Sequence, residues 1–241
     1  MVYLVYGILK ASAAGSGPLA GVRGACVTIV TAHGLAAAIS QLDAAVHAPS
    51  VDELLVYGRV VDALFRRQAV VPLRYGCFLN GPAAVEAVLE AKKDSCEALL
   101  AELDGQAEMG IRILLPAGAE TVPPAAQPVD GSAYLARRKA HYQMQEADAR
   151  QHQALLDRYV QALAGLNGKH RTETATRDGA VALSLDYLIP KSQVSAFREI
   201  FRGVAAQEGT RVQLSGPWPP YNFSMPSDLT APRGRSDRRL P

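Results

Sequence analysis

Short apolar runs separated by glycine- and proline-containing turns characterise the first half of the chain. The runs at 2–9, 25–31 and 35–39 predict three strands, the last two joined by a turn at His33-Gly34. Helix-start residues precede helical patterns at 49–68 and 82–103. Two further strands are predicted at 70–75 and 107–115. Pro72 donates no ladder hydrogen bond, so the strand at 70–75 is expected at a sheet edge or a bulge.

A long helical pattern opens the second half, from Gly131 to Leu166. Apolar or small residues recur on it every seven positions, at Leu135, Tyr142, Ala149, Leu156 and Leu163. A companion line of positions lies three residues after the first line. It is polar at Arg138, Gln145 and His152 and apolar at Tyr159 and Leu166. We therefore expect the second half of this helix to be packed and the first half to be largely exposed.

After the long helix, strand patterns at 169–177 and 181–189 flank Asp178-Gly179, which is a strong hairpin signal. A helix at 193–207 and a strand at 210–214 follow. Four prolines at 116–130 predict a linker. The expected class is α+β, with two domains that are each a small, mostly antiparallel sheet covered by helices, in ferredoxin-like packing. The predicted bounds are 1–116, linker 117–130, a second domain 131–223 that the long helix opens, and a flexible tail 224–241.

Composition and charge narrow the class of protein. A hydrophobic fraction of 49% supports a folded core, and 25 basic against 23 acidic residues give no electrostatic case for binding nucleic acid or a membrane surface. No window reaches the roughly 18 apolar residues of a membrane span. Three widely spaced cysteines without a C-x-x-C pair, and no signal peptide, indicate buried reduced thiols in a cytoplasmic protein. The arginine-rich tail is interpreted as a solvated end.

Candidate chemistry is sparse, and we expect no catalytic, cofactor or metal site. The run Gly15-Ser-Gly-Pro-Leu-Ala formally matches a dinucleotide motif, but no helix pattern begins there, so a loop is favoured. His141 and His152 lie about three turns apart on a helix, too far to share a metal. The pair Asp52-Glu53 suits a helix N-terminus. The cluster Arg137, Arg138 and Lys139, near Tyr142, is interpreted as a solvated face or, alternatively, as a docking edge for a partner.

The most specific stretch of the chain is the run that we call the strap: Gly216, Pro217, Trp218, Pro219, Pro220, Tyr221, Asn222 and Phe223. Its prolines predict an extended segment that is neither helix nor central strand. Its aromatic side chains give it a large apolar surface. We expect the strap to lie across a groove, between the two domains, or else to form a local turn that closes the second domain.

The strap resembles the G-P-W-P-P-Y-x-F motif of the gas vesicle GvpF/GvpL family. Further resemblances to the family follow in order along the chain, at 3–7, 71–76, 103–108, 131–139 and 183–189. Tyr75 stands where phenylalanine is common in the family, and Gln106 stands where a basic residue is frequent. The resemblance covers Val2 to Phe223.

The resemblance implies two α+β domains and a non-enzymatic accessory or assembly protein of gas vesicle formation, chaperone-like or a minor structural component. Its implied partners are the hydrophobic shell protein GvpA and other gas vesicle accessory proteins. Two surfaces could cover a shell subunit: the sheet edge at 70–75 by strand addition, or the long helix. The helix is favoured because its first half lacks apolar residues for packing within the protein. The alternatives are a small-molecule-binding regulatory module and an unrecognised enzyme.

Overall fold

The computed structural model describes residues 1–13, 19–45, 48–115, 131–177, 180–207 and 209–224. The predicted linker 117–130, the turn Asp178-Gly179, residues 15–18 of the glycine-rich run and the tail beyond Ser224 lie outside the described residues. Contacts divide the chain into two units, Met1–Glu108 together with the chain from Pro217, and Met109–Gly216. The domain bounds expected from the sequence stay a prediction.

The first unit is built on an antiparallel sheet in which β1 is central. Its elements are β1 (Val2–Lys10), β2 (Val27–Ala32), β3 (Leu35–Leu42), α1 (Val51–Arg67), β4 (Val71–Pro72), β5 (Phe78–Leu79), α2 (Pro82–Ala91) and α3 (Lys93–Leu103). The strand order is β2-β3-β1-β4, and β5 also pairs with β1. Residues Leu4 to Leu9 of β1 are all buried, as expected for a continuous apolar run in a central strand.

Local sequence signals account for the turn and the helix start in this unit. His33 and Gly34 both have positive φ, 52° and 83°, as a two-residue hairpin turn between β2 and β3 requires. The hydroxyl of Ser50 accepts from the Glu53 backbone N–H, and the Glu53 carboxylate accepts from the Ser50 N–H. This capping box satisfies two backbone donors at the start of α1.

Three expectations need correction. The predicted helix 82–103 is two helices, because Lys92 has non-helical angles (φ −111°, ψ 10°), and each helix buries its own apolar side. The strand predicted at 70–75 contains only Val71–Pro72, since a proline cannot donate to the next ladder position. Buried thiols were expected, and Cys96 is buried, but Cys26 is exposed.

The second unit is a four-stranded sheet with helices against one face. Its elements are β6 (Gln106–Leu115), α4 (Gly131–Leu163), β7 (Lys169–Arg177), β8 (Ala180–Pro190), α5 (Val194–Ala205) and β9 (Arg211–Trp218), in strand order β7-β8-β6-β9. The core joins side chains of β6 and β8 to the second half of α4 and to Phe197 and Phe201 of α5. The predicted class, α+β with two small sheets covered by helices, is confirmed.

Candidate functional site

The first half of α4 extends away from the core of its own unit. Every described side chain from Tyr134 to Gln151 is exposed, and we call residues 134–151 the stalk. The second half is packed, with Leu155, Leu156, Tyr159 and Leu163 in the core. The change follows the companion line of the heptad pattern, which turns from polar to apolar after His152. At 1.5 Å per residue the stalk presents about 27 Å of helix.

Four large apolar side chains are exposed on the stalk: Tyr134 at 49%, Leu135 at 64%, Tyr142 at 50% and Met144 at 59%. Leu135 and Tyr142 lie on the seven-residue line that is buried further along α4. Nine residues separate Leu135 from Met144, which places them about 180° apart around the helix. The stalk therefore carries an apolar line without a described neighbour, and Met144 lies on its opposite face.

Arg138 and Tyr142 contact each other one turn apart. Arg138 Nη2 donates to Tyr142 Oη at 3.2 Å, and the guanidinium carbon lies 5.6 Å from the centre of the tyrosine ring. This hydrogen bond raises the pKa of Arg138, and such cation–π contacts are weak where solvent reaches them. Arg137 and Lys139 are exposed beside this pair. That these four residues bind a partner stays a prediction.

The strap begins as an edge strand and ends as a turn. Residues Gly216 to Trp218 complete β9, and Trp218 is 49% exposed. The Tyr221 N–H then donates to Pro219 O at 2.8 Å, and the Phe223 N–H donates to Pro220 O at 3.3 Å. The expectation of an extended segment holds up to Trp218 and is wrong beyond it. The chain turns there, because the carbonyl groups of Pro219 and Pro220 accept hydrogen bonds from residues two or three positions later.

Two polar contacts hold the end of the strap within the first unit. Glu108, only 6% exposed, accepts from the Asn222 backbone N–H and from Asn222 Nδ2, each at 2.8 Å. Buried Ser224 donates from its hydroxyl to Pro72 O at 3.3 Å. Ser224, the residue that follows the strap, therefore occupies the carbonyl of Pro72 in β4. Burial raises the pKa of the Tyr221 phenol, and the nearby carboxylates of Asp62 and Glu108 raise it further.

An aromatic cluster underlies this part of the first unit. Tyr6 stacks on Tyr57 with ring centres 4.9 Å apart, and Tyr75 meets Tyr57 edge-on at 5.4 Å. The Tyr57 hydroxyl lies 2.8 Å from Leu73 O and 3.0 Å from Val5 O, so its single proton is shared between these two carbonyl groups. Burial raises the pKa of Tyr57 well above its ordinary value, and Tyr221 adds to the rise. The cluster links β1, α1 and the segment after β4.

Sequence reasoning missed Glu108 and Tyr57 as structural anchors. Glu108 is the one acidic residue of β6, a largely apolar strand that also contains Gln106 and Arg112, and this acidic exception was the available signal. Tyr57 lies on the apolar side of α1, where a tyrosine looks like any other core residue. Its role depends on carbonyl groups from β1 and from the segment after β4, which no local pattern reveals.

No group of three His, Cys, Asp or Glu among the described residues is placed to bind a metal. His141 Nε2 lies 3.0 Å from Gln145 Nε2 on the stalk. Glu53 accepts from Arg23 at 2.7 Å, and this bond and the capping bond from Ser50 lower the pKa of the carboxyl. An open cleft near the β2–β3 turn is lined by one basic side chain, one acidic side chain and four uncharged residues: Lys10, Glu97, Ala11, Ser12, Gly34 and Leu35.

Within the described ranges, no helix combines the length and the apolar character that crossing a bilayer requires.

Comparison with known proteins gives one consistent result. The family model of gas vesicle synthesis protein GvpL/GvpF matches residues 2–225. Gas vesicle protein L of Streptomyces sp. (strain CB03234) is 30% identical over 184 residues, covering 72% of this chain and 69% of that protein. Gas vesicle protein F1 of Halobacterium salinarum is 23% identical over 193 residues, covering 78% and 76%.

Solved structures share the fold. The crystal structure of gas vesicle protein GvpF from Microcystis aeruginosa superposes with a TM-score of 0.77 at 18% identity, covering 93% of this chain and 99% of that one. GvpF from Anabaena sp. PCC7120 gives 0.73 at 16% identity, covering 93% and 96%. The resemblance identified in the sequence is confirmed, and it supports a role in gas vesicle formation in a family that is not a known enzyme family. This chain belongs to the gas vesicle synthesis protein GvpL/GvpF family.

Proposed function

We propose that this chain is a cytoplasmic accessory protein of gas vesicle assembly that covers apolar surface on shell subunits of the GvpA type before they polymerise. Shell subunits expose such surface while free, and exposed apolar surface aggregates unless it is covered. In this proposal the stalk is the covering surface, and other accessory proteins bind elsewhere on the molecule. The observation that carries the proposal is the exposed line of Leu135 and Tyr142 on a helix whose later turns are packed.

The chemistry of the stalk defines the partner surface that it fits. Leu135 and Tyr142 supply large apolar anchors about two turns apart, as in recognition of a helix in a groove. Arg138 and Lys139 lie near the face of these two anchors and favour a partner with acidic side chains around an apolar centre, whereas Arg137 lies nearer the Met144 face. The Arg138–Tyr142 contact places both side chains together on one face of the helix, beside Leu135.

Strand addition at the β4 edge, the alternative route, has less support. That edge is only two residues long, and one of the two is Pro72. Both residues are buried, and the Pro72 carbonyl already accepts from Ser224. A partner strand that pairs with this carbonyl would first have to displace Ser224. The stalk needs no such rearrangement.

The test is a binding assay between the purified chain and purified shell protein, with two matched variants. Leu135→Glu and Met144→Glu each replace an exposed apolar side chain of the stalk with a carboxylate, on opposite faces. We expect Leu135→Glu to weaken capture of the shell protein by about tenfold or more, since hot-spot anchors contribute about 2 kcal/mol each. Met144→Glu should bind as the unsubstituted chain does.

Three outcomes of this assay would contradict the proposal. Equal binding by both variants would remove the stalk face from consideration. Equal loss in both would indicate a general effect of charge on the helix. No interaction of the unsubstituted chain with shell protein, combined with unchanged vesicles after deletion of the gene, would end the hypothesis as a whole.

A further inference from the structure

The stalk is a helix that is exposed on every side. Its described side chains from Tyr134 to Gln151 are all exposed, on the face of Leu135 as well as on the face of Met144. The side-chain contacts within the stalk are local and one turn apart: Arg138 with Tyr142, His141 with Gln145, and Arg150 with Glu146. Exposed pairs of this kind add little to helix stability, most of which comes from packing of one face in folded proteins. A partner along one face would supply the packing that the stalk lacks.

The packed half of α4 shows which face of the stalk is suited to a partner. The line that is buried at Leu156 and Leu163 continues into the stalk as heptad position a, and the companion line continues as position d. In the stalk, position a holds Leu135, Tyr142 and Ala149, and position d holds Arg138 and Gln145. Flanking this face are Lys139 and Glu146 at position e, and His141 and Asp148 at position g.

The charges of this face are divided along its length. Arg138 and Lys139 make its first half basic, whereas Glu146 and Asp148 make its second half acidic. A second stalk that runs antiparallel sets the basic half of each copy against the acidic half of the other. A parallel second stalk sets Arg138 against the same residue of the other copy at position d. Charge complementarity therefore selects an antiparallel second copy of this chain.

The ion pair of Glu146 within the stalk leaves its carboxylate available to a second cation. Arg150 Nη2 lies 3.9 Å from Glu146 Oε2, and the two side chains are 77% and 73% exposed. A contact this long between exposed groups is weak. Arg150 lies at position b, outside the face that a second stalk would cover.

One register of the antiparallel pair brings complementary groups together on both flanks. A two-fold axis midway between positions 143 and 144 relates each flank of the stalk to itself in the other copy. Lys139 then lies opposite Glu146 of the second copy, so their charges attract. His141, whose ring can donate a hydrogen bond, lies opposite Asp148. On the face itself Arg138 lies opposite Ala149, whose small side chain leaves room for it.

Neighbouring symmetric registers are less favourable. An axis near position 140, half a heptad earlier, sets the two Lys139 side chains opposite each other. An axis near position 147 does the same for the two Glu146 carboxylates and for the two Asp148 carboxylates. Both shifts replace attraction by repulsion between like charges. The stalk is therefore self-complementary in one antiparallel register.

We propose that the stalks of two copies of this chain pair antiparallel about positions 143 and 144, and that this dimer is the resting state of the face assigned above to shell subunits. Both copies use the same face, so the contact closes as a two-fold dimer. Leu135 and Tyr142 are covered in the dimer, so a second copy and a shell subunit compete for one surface. The resting-state role rests on the proposed function, whereas the pairing itself does not.

Dimerisation of the full-length chain is measured by sedimentation equilibrium and native mass spectrometry at low ionic strength, where exposed charges are screened least. Lys139→Glu sets two carboxylates opposite each other at both e pairs, and Glu146→Lys sets two ammonium groups there. We expect each variant alone to dimerise about tenfold more weakly, since two facing pairs are reversed. An equimolar mixture of the two variants should dimerise as tightly as the unsubstituted chain, because every e pair is again of opposite charge. Lys93→Glu, the same charge change at an exposed position of α3, should leave dimerisation unchanged.

Recovery of the heterodimer also shows that both variants fold, so loss of folding cannot imitate the expected result. The pairing is overturned if the unsubstituted chain stays monomeric up to about 1 mM, a very weak range of association. It is also overturned if either single variant dimerises as the unsubstituted chain does. Failure of the mixture to pair, with an unchanged circular dichroism spectrum for both variants, would refute the register about positions 143 and 144.

Addition of purified shell protein separates this inference from the proposed function. We expect shell protein to replace the second copy, giving complexes with one copy of this chain. A monomeric chain that still captures shell protein would refute the pairing and leave the proposed function in place. A dimer that binds shell protein without coming apart would overturn the resting-state role. A charge-dependent dimer that shell protein does not bind would refute the proposed function and the resting-state role, and the pairing would stand.

Discussion

Replacing Glu108 with alanine removes the acceptor of both hydrogen bonds that Asn222 donates from the strap. Both bonds are 2.8 Å long, and the carboxylate side chain is nearly buried. Hydrogen bonds to a charged group contribute about 1.5–3 kcal/mol each. Because Asn222 is half-buried and water replaces part of each bond, we expect Glu108→Ala to lower the free energy of unfolding of the first unit by about 3 kcal/mol.

Asn222→Ala distinguishes the contribution of the side-chain hydrogen bond from that of the backbone hydrogen bond. It removes the Nδ2 donor and leaves the backbone N–H on Glu108, so we expect about half the loss, roughly 1.5 kcal/mol. In the double variant the side-chain bond is already absent, and the coupling between the two sites should be about 1.5 kcal/mol, in the range found for contacting residues. Glu90→Ala, at an exposed position of α2, is the control and should cost less than about 0.5 kcal/mol.

Separate measurements follow the release of the strap and the unfolding of the secondary structure. Trp218 is the only tryptophan of the chain and lies in the strap, so its fluorescence in a urea titration reports release of the strap. Hydrogen exchange of the peptide that contains the Asn222 amide reports local opening. Far-ultraviolet circular dichroism follows the secondary structure. If Glu108→Ala and Asn222→Ala each match the control, or if their effects simply add, the Glu108–Asn222 contact does not hold the strap.

Two further predictions concern buried polar groups. Tyr57→Phe should lower the stability of the first unit by about 1–3 kcal/mol, because the carbonyls of Leu73 and Val5 lose a buried donor. Urea unfolding measures this change, and Tyr134→Phe, at an exposed tyrosine of the stalk, is the control. A loss in Tyr57→Phe no larger than that in the control would contradict the prediction. Burial raises the pKa of the Asp186 carboxyl. The positive charges of Arg112 and Arg171 lower this pKa, and the negative charge of Glu173 raises it, but burial has the largest effect. The folded state then binds this proton more tightly than the unfolded state, so the contribution of Asp186 to stability falls as pH rises from about 4 through the raised value. In unfolding titrations at a series of pH values, the stability of the unsubstituted chain relative to Asp186→Asn should decrease over that range, and a constant or increasing difference would refute the assignment.

Local patterns were sufficient for several elements. The apolar run of β1, the turn at His33-Gly34 and the capping box at Ser50 each depend on residues within a few positions of one another. The heptad line of α4 also predicted which half of the helix would be packed. The strap motif, together with matches along the chain, was enough to identify the family.

Other features were beyond local reasoning. The break at Lys92 divides a stretch whose helical period continues on both sides, because α2 and α3 each bury a separate apolar side. The turn at the end of the strap forms because Asn222 and Ser224 find acceptors on Glu108 and Pro72, which are more than a hundred positions away in the chain. A local pattern contains no information about such distant acceptors.

For this protein the sequence alone determined the order and type of most elements, the α+β class and the family, since periodicity, caps and turn residues act over short distances. Tertiary structure alone decided which edges are covered and which polar groups are buried. It placed Asn222 of the strap on Glu108 and the following Ser224 on Pro72, and it left the described side chains of the stalk exposed. The physical reason is that burial and hydrogen-bond pairing of distant groups depend on packing in three dimensions, whereas helix and strand patterns are written into neighbouring residues.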